Sequence, residues 1–344
     1  MVDSAVFAST APRGGAKHGA AGGDRFGHQH GTAGLTATGI VQSEARERPG
    51  PQRTGLDRPI TVWLLLGPTV LYLLTFAIYP LFYSLRLSLT DLTAATGTGH
   101  FIGFRNYRDL FFDPLFWNAT WNSAVMVSVS VALQVVLGIA LATFFNLHLK
   151  GSWIVRGILV LPMLITPIVV GVMWRALLNP DWGLVNWALV QLGFEQPNWL
   201  GSIEMAMKTL ILVDTWQWTP FVFIIVFARL QALPQDVFEA AQVDGAGRLT
   251  IFWHVTLPLL MPAIVFAAVF RAVDAFRSFD LIYGLSYGGP ARSTTTLAFF
   301  SFQNGFQFQN YGYAAAVAYM MLIILAVGTT VLLRYVQLRP GNAR

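Results

Sequence analysis

Apolar stretches with few or no charged residues follow one another along most of the chain, separated by shorter polar segments. The first covers residues 60–83, and a helix of that length, at about 1.5 Å per residue, exceeds the roughly 30 Å hydrocarbon core of a membrane. The others lie within residues 114–149, 157–174, 207–228, 249–270 and 293–333. The pattern predicts an all-α membrane protein in which residues 60–338 form a domain of six transmembrane helices.

Residues 1–59 differ from the rest in composition, with 12 charged residues, 11 Gly and no apolar run long enough for a signal-peptide core. We expect a disordered tail. Arg53 and Arg58 precede the first span, and positive charges favour the cytoplasmic side, so the tail is predicted to be cytoplasmic. Six spans then return the short C-terminus, residues 339–344, to the cytoplasm and leave the longer loops, 84–121 and 175–206, outside.

The overall composition excludes several classes of protein. Hydrophobic residues make up 55% of the chain and charged residues 11%, against about 25% charged in soluble domains. The sequence has no Cys, which excludes disulfides, thiolate metal sites and cysteine nucleophiles. The net charge of +5 fits the enrichment of Lys and Arg in cytoplasmic segments of membrane proteins, so no nucleic-acid partner is expected.

Motifs for catalysis are missing from the sequence. It contains no GxxxxGK[ST] phosphate loop, no HExxH zinc motif and no nucleophile elbow. We therefore expect a protein that is not an enzyme and has no metal site. Any energy from ATP must enter through a partner.

The segment from Pro234 to Thr256 is more regular than a passive cytoplasmic loop. Pro234 can open a helix, the Glu239-Ala240-Ala241 run favours it, and Gly245 can end it. Residues 250–256 then lead into the next span. The small side chains of this segment leave a surface on which another protein can approach closely, which predicts a helix-turn-helix docking element.

The same residues resemble a known motif. Glu239-Ala240-Ala241, three residues, Gly245, nine residues and Val255-Thr256-Leu257-Pro258 match the EAA loop of ABC importer permeases, with Val where the family usually has Ile. The resemblance implies that loop 234–258 is the coupling element seated in a cleft of the ATPase subunit. The residues that it implies for this contact are Glu239, Ala240, Ala241, Asp244, Gly245, Leu257 and Pro258.

Further blocks resemble the sugar-permease branch of that family, which includes the larger maltose permease subunit and the glycerol-3-phosphate permease. They include Phe279-Asp280-Leu281-Ile282-Tyr283 and Gly288-Gly289-Pro290, and the resemblance extends over most of residues 60–338. It implies import of a carbohydrate or polyol by alternating access, in the bacterial cytoplasmic (inner) membrane. The implied partners are two ATPase subunits, a second homologous permease and an extracytoplasmic solute-binding protein. ATP and Mg would be used by the ATPase, and this chain would bind no cofactor.

Asp214 is the most unusual residue within the predicted spans. A carboxylate facing lipid costs about 3 kcal/mol, so Asp214 should face the bundle interior or water. Two interpretations stay open: a contact to sugar hydroxyls, or a hydrogen bond that joins helices. The candidates for the substrate path are Asp214, Trp216, Gln217, Trp218, Gln134 and Tyr319.

Charges of alternating sign follow the fifth span at Arg271, Asp274, Arg277 and Asp280. In a helix they would form a ladder of ion pairs. With Tyr283 they are candidates for an outer gate or for a contact with the solute-binding protein. The alternative is a solvated helix end.

The third predicted span contains helix-breaking residues, namely Pro162, Pro167 and Gly171. A break there would expose backbone carbonyls to a cavity, as in many transporters. An alternative function is also open at this point. An ion-coupled secondary transporter of small polar solutes could use Asp214 as its intramembrane carboxylate, without any ATPase.

Overall fold

The computed structural model describes residues 59–147 and 152–337, and the helices from Trp63 onward belong to one compact unit. The predicted tail lies outside the described residues, except for Pro59, and so does the predicted C-terminus. The described part is helical, and its β contacts are two isolated bridges, Thr90 with Phe101 and Thr93 with Asn310.

Fourteen α-helices and three π-helical turns make up the described residues. The helices are α1 (Pro59–Leu73), α2 (Tyr79–Ser88), α3 (Arg105–Phe111), α4 (Pro114–Phe145), α5 (Ser152–Leu164), α6 (Pro167–Leu177), α7 (Leu184–Gln191), α8 (Ile203–Gln231), α9 (Gln235–Val243), α10 (Arg248–Ile251), α11 (Leu257–Phe276), α12 (Asp280–Leu285), α13 (Leu297–Phe302) and α14 (Tyr311–Gln337). The π-helical turns are Leu74–Ile78, Phe252–Thr256 and Gln303–Gln307.

Within the described residues, five helical stretches are long and apolar enough to cross a membrane. They are Leu66–Ser88, Pro114–Phe145, Ile203–Gln231, Arg248–Phe276 and Tyr311–Val331. A sixth crossing is reached if the bent pair of α5 and α6 counts as one span. The last span occupies only part of the apolar run 293–333, because residues 293–310 form a loop, α13 and a π-helical turn before α14 begins.

The third predicted span is broken, as its prolines indicated. The axes of α5 and α6 meet at 100° across residues 165–166. Pro167 is the first residue of α6 and has no backbone N–H, while Thr166 before it is extended with ψ 138°. Residues before proline avoid the helical region, so the chain turns sharply at this point.

Helix α6 lies unusually close to α12. A Cβ built on Gly171 would lie 2.8 Å from the backbone nitrogen of Leu285, and one on Gly284 would lie 2.7 Å from the carbonyl oxygen of Ile168. Only glycine fits at both positions. Small residues of this kind let two membrane helices pack backbone against backbone.

Helix α8 forms the centre of the bundle and packs against α4, α5 and α11. One buried apolar cluster joins it to α4 and α11 through Phe145, Phe223 and Leu260. A second cluster includes Val170, Leu210 and Leu281 and joins α8 to α6 and α12. These contacts fix the relative positions of α4, α8 and α11, the three helices that carry the buried polar residues described below.

Candidate translocation site and coupling segment

Asp214 and Arg271 form an ion pair inside the bundle. The Arg271 Nη2 atom lies 3.2 Å from Asp214 Oδ2, and both side chains are 1% exposed. Asp214 belongs to α8 and Arg271 to α11, so the pair joins two helices. In the sequence Asp214 and the Arg271 ladder are separate features, and the structure brings them together.

Gln134 of α4 completes this pair as a three-residue network. Its Nε2 donates to Asp214 Oδ2 at 2.8 Å, and its Oε1 accepts from Arg271 Nε at 3.0 Å. The amide therefore satisfies an acceptor and a donor at once. A buried charge is stable only when it is paired and hydrogen-bonded, and here one polar network links α4, α8 and α11.

The network continues from Arg271 towards solvent. Arg271 Nη1 donates to Asp274, whose other oxygen lies 3.8 Å from Arg277 Nη2. Side-chain exposure rises from 1% at Arg271 to 35% at Asp274 and 65% at Arg277. The predicted ladder is confirmed over these three residues. The alternative of a solvated helix end was wrong for Arg271, which is buried. Asp280 begins α12 instead of continuing the ladder.

A polar cavity of about 310 Å³ opens beside this network. Its polar lining consists of Asp214, Trp218, Asp274, Arg277, Ser278 and Asp280. The guanidinium of Arg271 lies over the ring of Trp218, 4.5 Å from its centroid, which holds the indole in place. Carboxylates and a guanidinium can bond to hydroxyl groups, and an indole can cover an apolar face.

The break in the third span contributes to the same region. Pro167 lines the cavity, and the carbonyl of Ile165 accepts from Gln217 Nε2 at 2.9 Å. Gln217 is fully buried and its Oε1 has no partner among the described residues. The carbonyl freed by the proline break is thus paired with a side chain of α8.

Several candidates for the substrate path lie away from the cavity. Trp216 packs on Trp174, with ring centroids 5.4 Å apart, and lines an apolar groove. Tyr319 donates to the carbonyl of Leu81, on the side of α14 that faces α2. Gln134 is tied into the buried network and is not among the residues that line the cavity. Trp216 and Tyr319 do not line this cavity, and their place on the substrate path stays a prediction.

The gate candidate Tyr283 packs among aromatic side chains, 5.4 Å from the Phe279 ring and 5.2 Å from that of Tyr287. Ser278 and Phe279 line the cavity and were missed by the sequence analysis. The spacing of Ser278, four residues after Asp274, would have placed both on one face of a continuous helix.

The predicted docking element is a helix-turn-helix. Pro234 precedes α9, and Gly245 ends it with φ +78°, a left-handed conformation that glycine adopts without strain. The N–H of Ala246 donates to the carbonyl of Ala241 at 3.0 Å and closes the turn. Glu239, Ala240, Asp244, Gly245 and Pro258 are exposed, while Ala241 and Leu257 are half-buried. We call residues 234–256 the coupling segment.

The described residues contain no group of three or more His, Asp or Glu arranged to hold a metal ion.

Comparison with known proteins places the chain among transport proteins. It is 36% identical to the sulfoquinovosyl glycerol transport system permease protein of Agrobacterium fabrum over 82% of this chain and 91% of the relative. It is 34% identical to the trehalose/maltose transport system permease protein of Thermococcus litoralis over 79% and 92%. Both relatives are permease proteins, which confirms the expectation that the chain is not an enzyme.

A solved structure shares the fold. A chain of a bacterial ABC transporter that imports the acidic polysaccharide alginate superposes with a TM-score of 0.72 at 23% identity, covering 83% of this chain and 98% of that chain. Residues 134–339 match the family described as binding-protein-dependent transport system inner membrane component. The chain therefore belongs to this family, the multi-pass permease subunits of ABC importers.

Proposed function

We propose that this permease carries a carbohydrate or polyol through the membrane by alternating access, and that the 310 Å³ cavity is part of the path. The observation that carries the proposal is the polar cavity beside the buried Asp214–Arg271 pair. Its carboxylates, its guanidinium and the indole of Trp218 match the hydroxyl groups and the apolar ring face of a sugar.

The coupling segment is connected to the cavity through both of its flanking helices. Helix α8 carries Asp214 and ends at Gln231, about 25 Å further along its axis. Helix α11 begins at Leu257 and carries Arg271 about 20 Å further on. A displacement of the coupling segment therefore reaches both members of the ion pair, while Gln134 stays on α4. Through α8 and α11, a movement of the ATPase at the coupling segment can change the positions of Asp214 and Arg271 beside the cavity.

We propose the following partners: two ATPase subunits bound at the coupling segment, a second homologous permease and an extracytoplasmic solute-binding protein. The family description, a binding-protein-dependent system, supports the solute-binding protein. The exposure of the coupling segment supports the proposal that an ATPase subunit binds there. ATP and Mg are then used by the ATPase, the chain itself binds no cofactor, and its two termini lie in the cytoplasm.

The ion-coupled alternative loses its one supporting feature. It relied on a lone carboxylate within a span, and Asp214 is instead paired with Arg271 and hydrogen-bonded to Gln134. Membership in a family of ABC importers likewise favours transport driven by ATP.

The coupling segment can be tested with one substitution and a matched control. Gly245→Asp places a charged side chain at the exposed turn and should abolish ATP-dependent uptake of the transported solute, with maltose, trehalose and glycerol as the first probes. Gly97→Asp is the control because Gly97 also has a positive φ and open space around it, +62° against +78°, and lies in another loop. Both variants place a side chain on a backbone with positive φ, which strains the chain in each case. Only Gly245→Asp alters the docking surface.

The uptake is measured in membrane vesicles with ATP enclosed, and co-purification of the ATPase is scored in parallel. Loss of uptake and of the ATPase with Gly245→Asp, but not with Gly97→Asp, supports the proposed docking. Normal uptake by Gly245→Asp would refute it. The carbohydrate class fails separately if the wild-type complex transports an amino acid and none of the three hydroxylated probes.

A further inference from the structure

A second concave site lies at the opposite end of α8 from the coupling segment. The loop between α6 and α8 contains the short helix α7 and surrounds a concavity of about 390 Å³. Its lining includes Pro180, Asp181, Trp182, Trp187 and Gln196, none of which lines the charged cavity. The volume lies within the roughly 300–1,000 Å³ typical of sites for small ligands.

The backbone that carries these side chains is held firmly. The Asn179 side chain accepts from the N–H groups of Asp181 at 2.9 Å and Trp182 at 3.3 Å. Gly183 sits so tightly that a Cβ would lie 2.4 Å from the carbonyl oxygen of Leu177. Asn186 is buried and accepts from the indole of Trp199 at 2.7 Å. The site is therefore formed before any ligand binds.

The two tryptophans of this site keep their rings exposed. Trp182 is 67% and Trp187 63% exposed, so each ring presents an open face to a ligand. In the described part of the chain, neither indole N–H nor the Asp181 carboxylate has a hydrogen-bond or ion-pair partner. Gln196 donates to the Pro180 carbonyl at 3.1 Å through Nε2, which leaves its Oε1 as an acceptor.

We propose that this concavity is a second carbohydrate-binding site, which holds one sugar ring against Trp182 and Trp187. The C–H face of the ring packs on an indole, and its hydroxyls donate to Asp181 and to Gln196 Oε1 and accept from the indole N–H groups. The inference rests on the proposed carbohydrate class of the substrate. The site lies at the end of the bundle away from the ATPase docking surface, where it can hold solute before it enters the charged cavity.

The test uses ¹⁹F NMR of the purified importer complex in nanodiscs. The 11 Trp of this chain are replaced by 5-fluorotryptophan. Individual Trp→Phe variants assign the resonances of Trp182, Trp187, Trp218 and Trp153. Maltose and trehalose are then added up to about 100 mM, because a shallow site of this kind is expected to bind in the millimolar range. Trp153 is the control, since it is exposed on α5 and lies outside both sites.

The proposal expects saturable shifts of the Trp182 and Trp187 resonances, with no shift of Trp153. In unlabelled protein, Trp187→Ala should weaken binding about tenfold, or about 1.4 kcal/mol, while Trp187→Phe keeps most of the affinity because a ring is retained. In the unlabelled wild type and Trp187 variants, sugar binding is followed by saturation-transfer NMR of the sugar.

Other outcomes overturn this proposal or the proposed path separately. If the Trp218 resonance shifts and those of Trp182 and Trp187 do not, the charged cavity binds sugar and the second site is wrong. If the resonances of Trp182 and Trp187 shift and that of Trp218 does not, the second site stands and the charged cavity loses its role in sugar binding. Unchanged resonances throughout, as expected if the two rings only anchor the loop at the membrane surface, overturn the second site.

Discussion

Removing either member of the Asp214–Arg271 pair should destabilise the bundle, and by different amounts. Both side chains are 1% exposed, and breaking a buried ion pair by removing one partner typically costs about 3–5 kcal/mol. Asp214→Asn leaves Arg271 with Asp274 as a second acidic partner, so its cost belongs near the lower end, about 3 kcal/mol. Arg271→Met leaves the buried Asp214 without a cationic partner and Gln134 Oε1 without its donor, and belongs near the upper end, about 5 kcal/mol.

The double variant distinguishes pairing from simple packing. Asp214→Asn with Arg271→Met removes both charges and keeps similar side-chain volumes, and neutral replacements of buried pairs are often tolerated. We expect it to be more stable than Arg271→Met alone, although it carries one substitution more. With single losses of about 3 and 5 kcal/mol, the coupling energy between the two positions should then be about 3 kcal/mol or more, at the upper end of the range seen for residues of one network.

Stability is measured by titrating the purified protein in mixed micelles with sodium dodecyl sulfate and following tryptophan fluorescence. The exposed pair of Arg105 and Asp109, 3.7 Å apart on α3, supplies the control. Asp109→Asn should change stability by less than about 1 kcal/mol, because exposed pairs contribute little. Additive losses in the double variant, or a loss below about 1 kcal/mol for Arg271→Met, would refute an energetic role for the buried pair.

Two further predictions concern the break in the third span. Gly171→Val should destabilise the protein by about 3 kcal/mol or more, because the new side chain meets the backbone of α12. Gly157→Val is the control and should be nearly neutral, because Gly157 has open space around it. Thermal unfolding of both variants checks this prediction. Gln217→Leu leaves the carbonyl of Ile165 without its partner and should cost about 1–3 kcal/mol. Gln217→Glu can donate to that carbonyl only in its protonated form, so in the same unfolding assay this variant should lose stability as the pH rises.

Several parts of this protein followed from local sequence alone. Long runs of apolar residues predict the membrane spans, and Pro167 marks where the third of them breaks, whereas Pro162 lies within α5. Pro234, the Glu239-Ala240-Ala241 run and Gly245 specify the beginning, body and end of α9. Each of these features depends on backbone preferences within a few residues, so no distant contact was needed to predict it.

The lining of the cavity followed only partly from the sequence. In a helix, successive residues are rotated by about 100°, so Asp214 and Trp218 share a face while Trp216 points to nearly the opposite side. Helical geometry thus separates the two tryptophans. Which face is turned to the interior depends on how α8 packs between its neighbours, and their packing turned Asp214 and Trp218 inwards.

The pairing within the buried network was decided by the tertiary structure alone. Gln134, Asp214 and Arg271 lie on three different helices, 137 residues apart at the extremes, and alternating charges near a span end equally fit a solvated helix. Packing of α4, α8 and α11 excludes water from Arg271, and a buried charge must then find its partners within the bundle. The sequence supplied charges of both signs, and only the contacts between helices determined which of them meet.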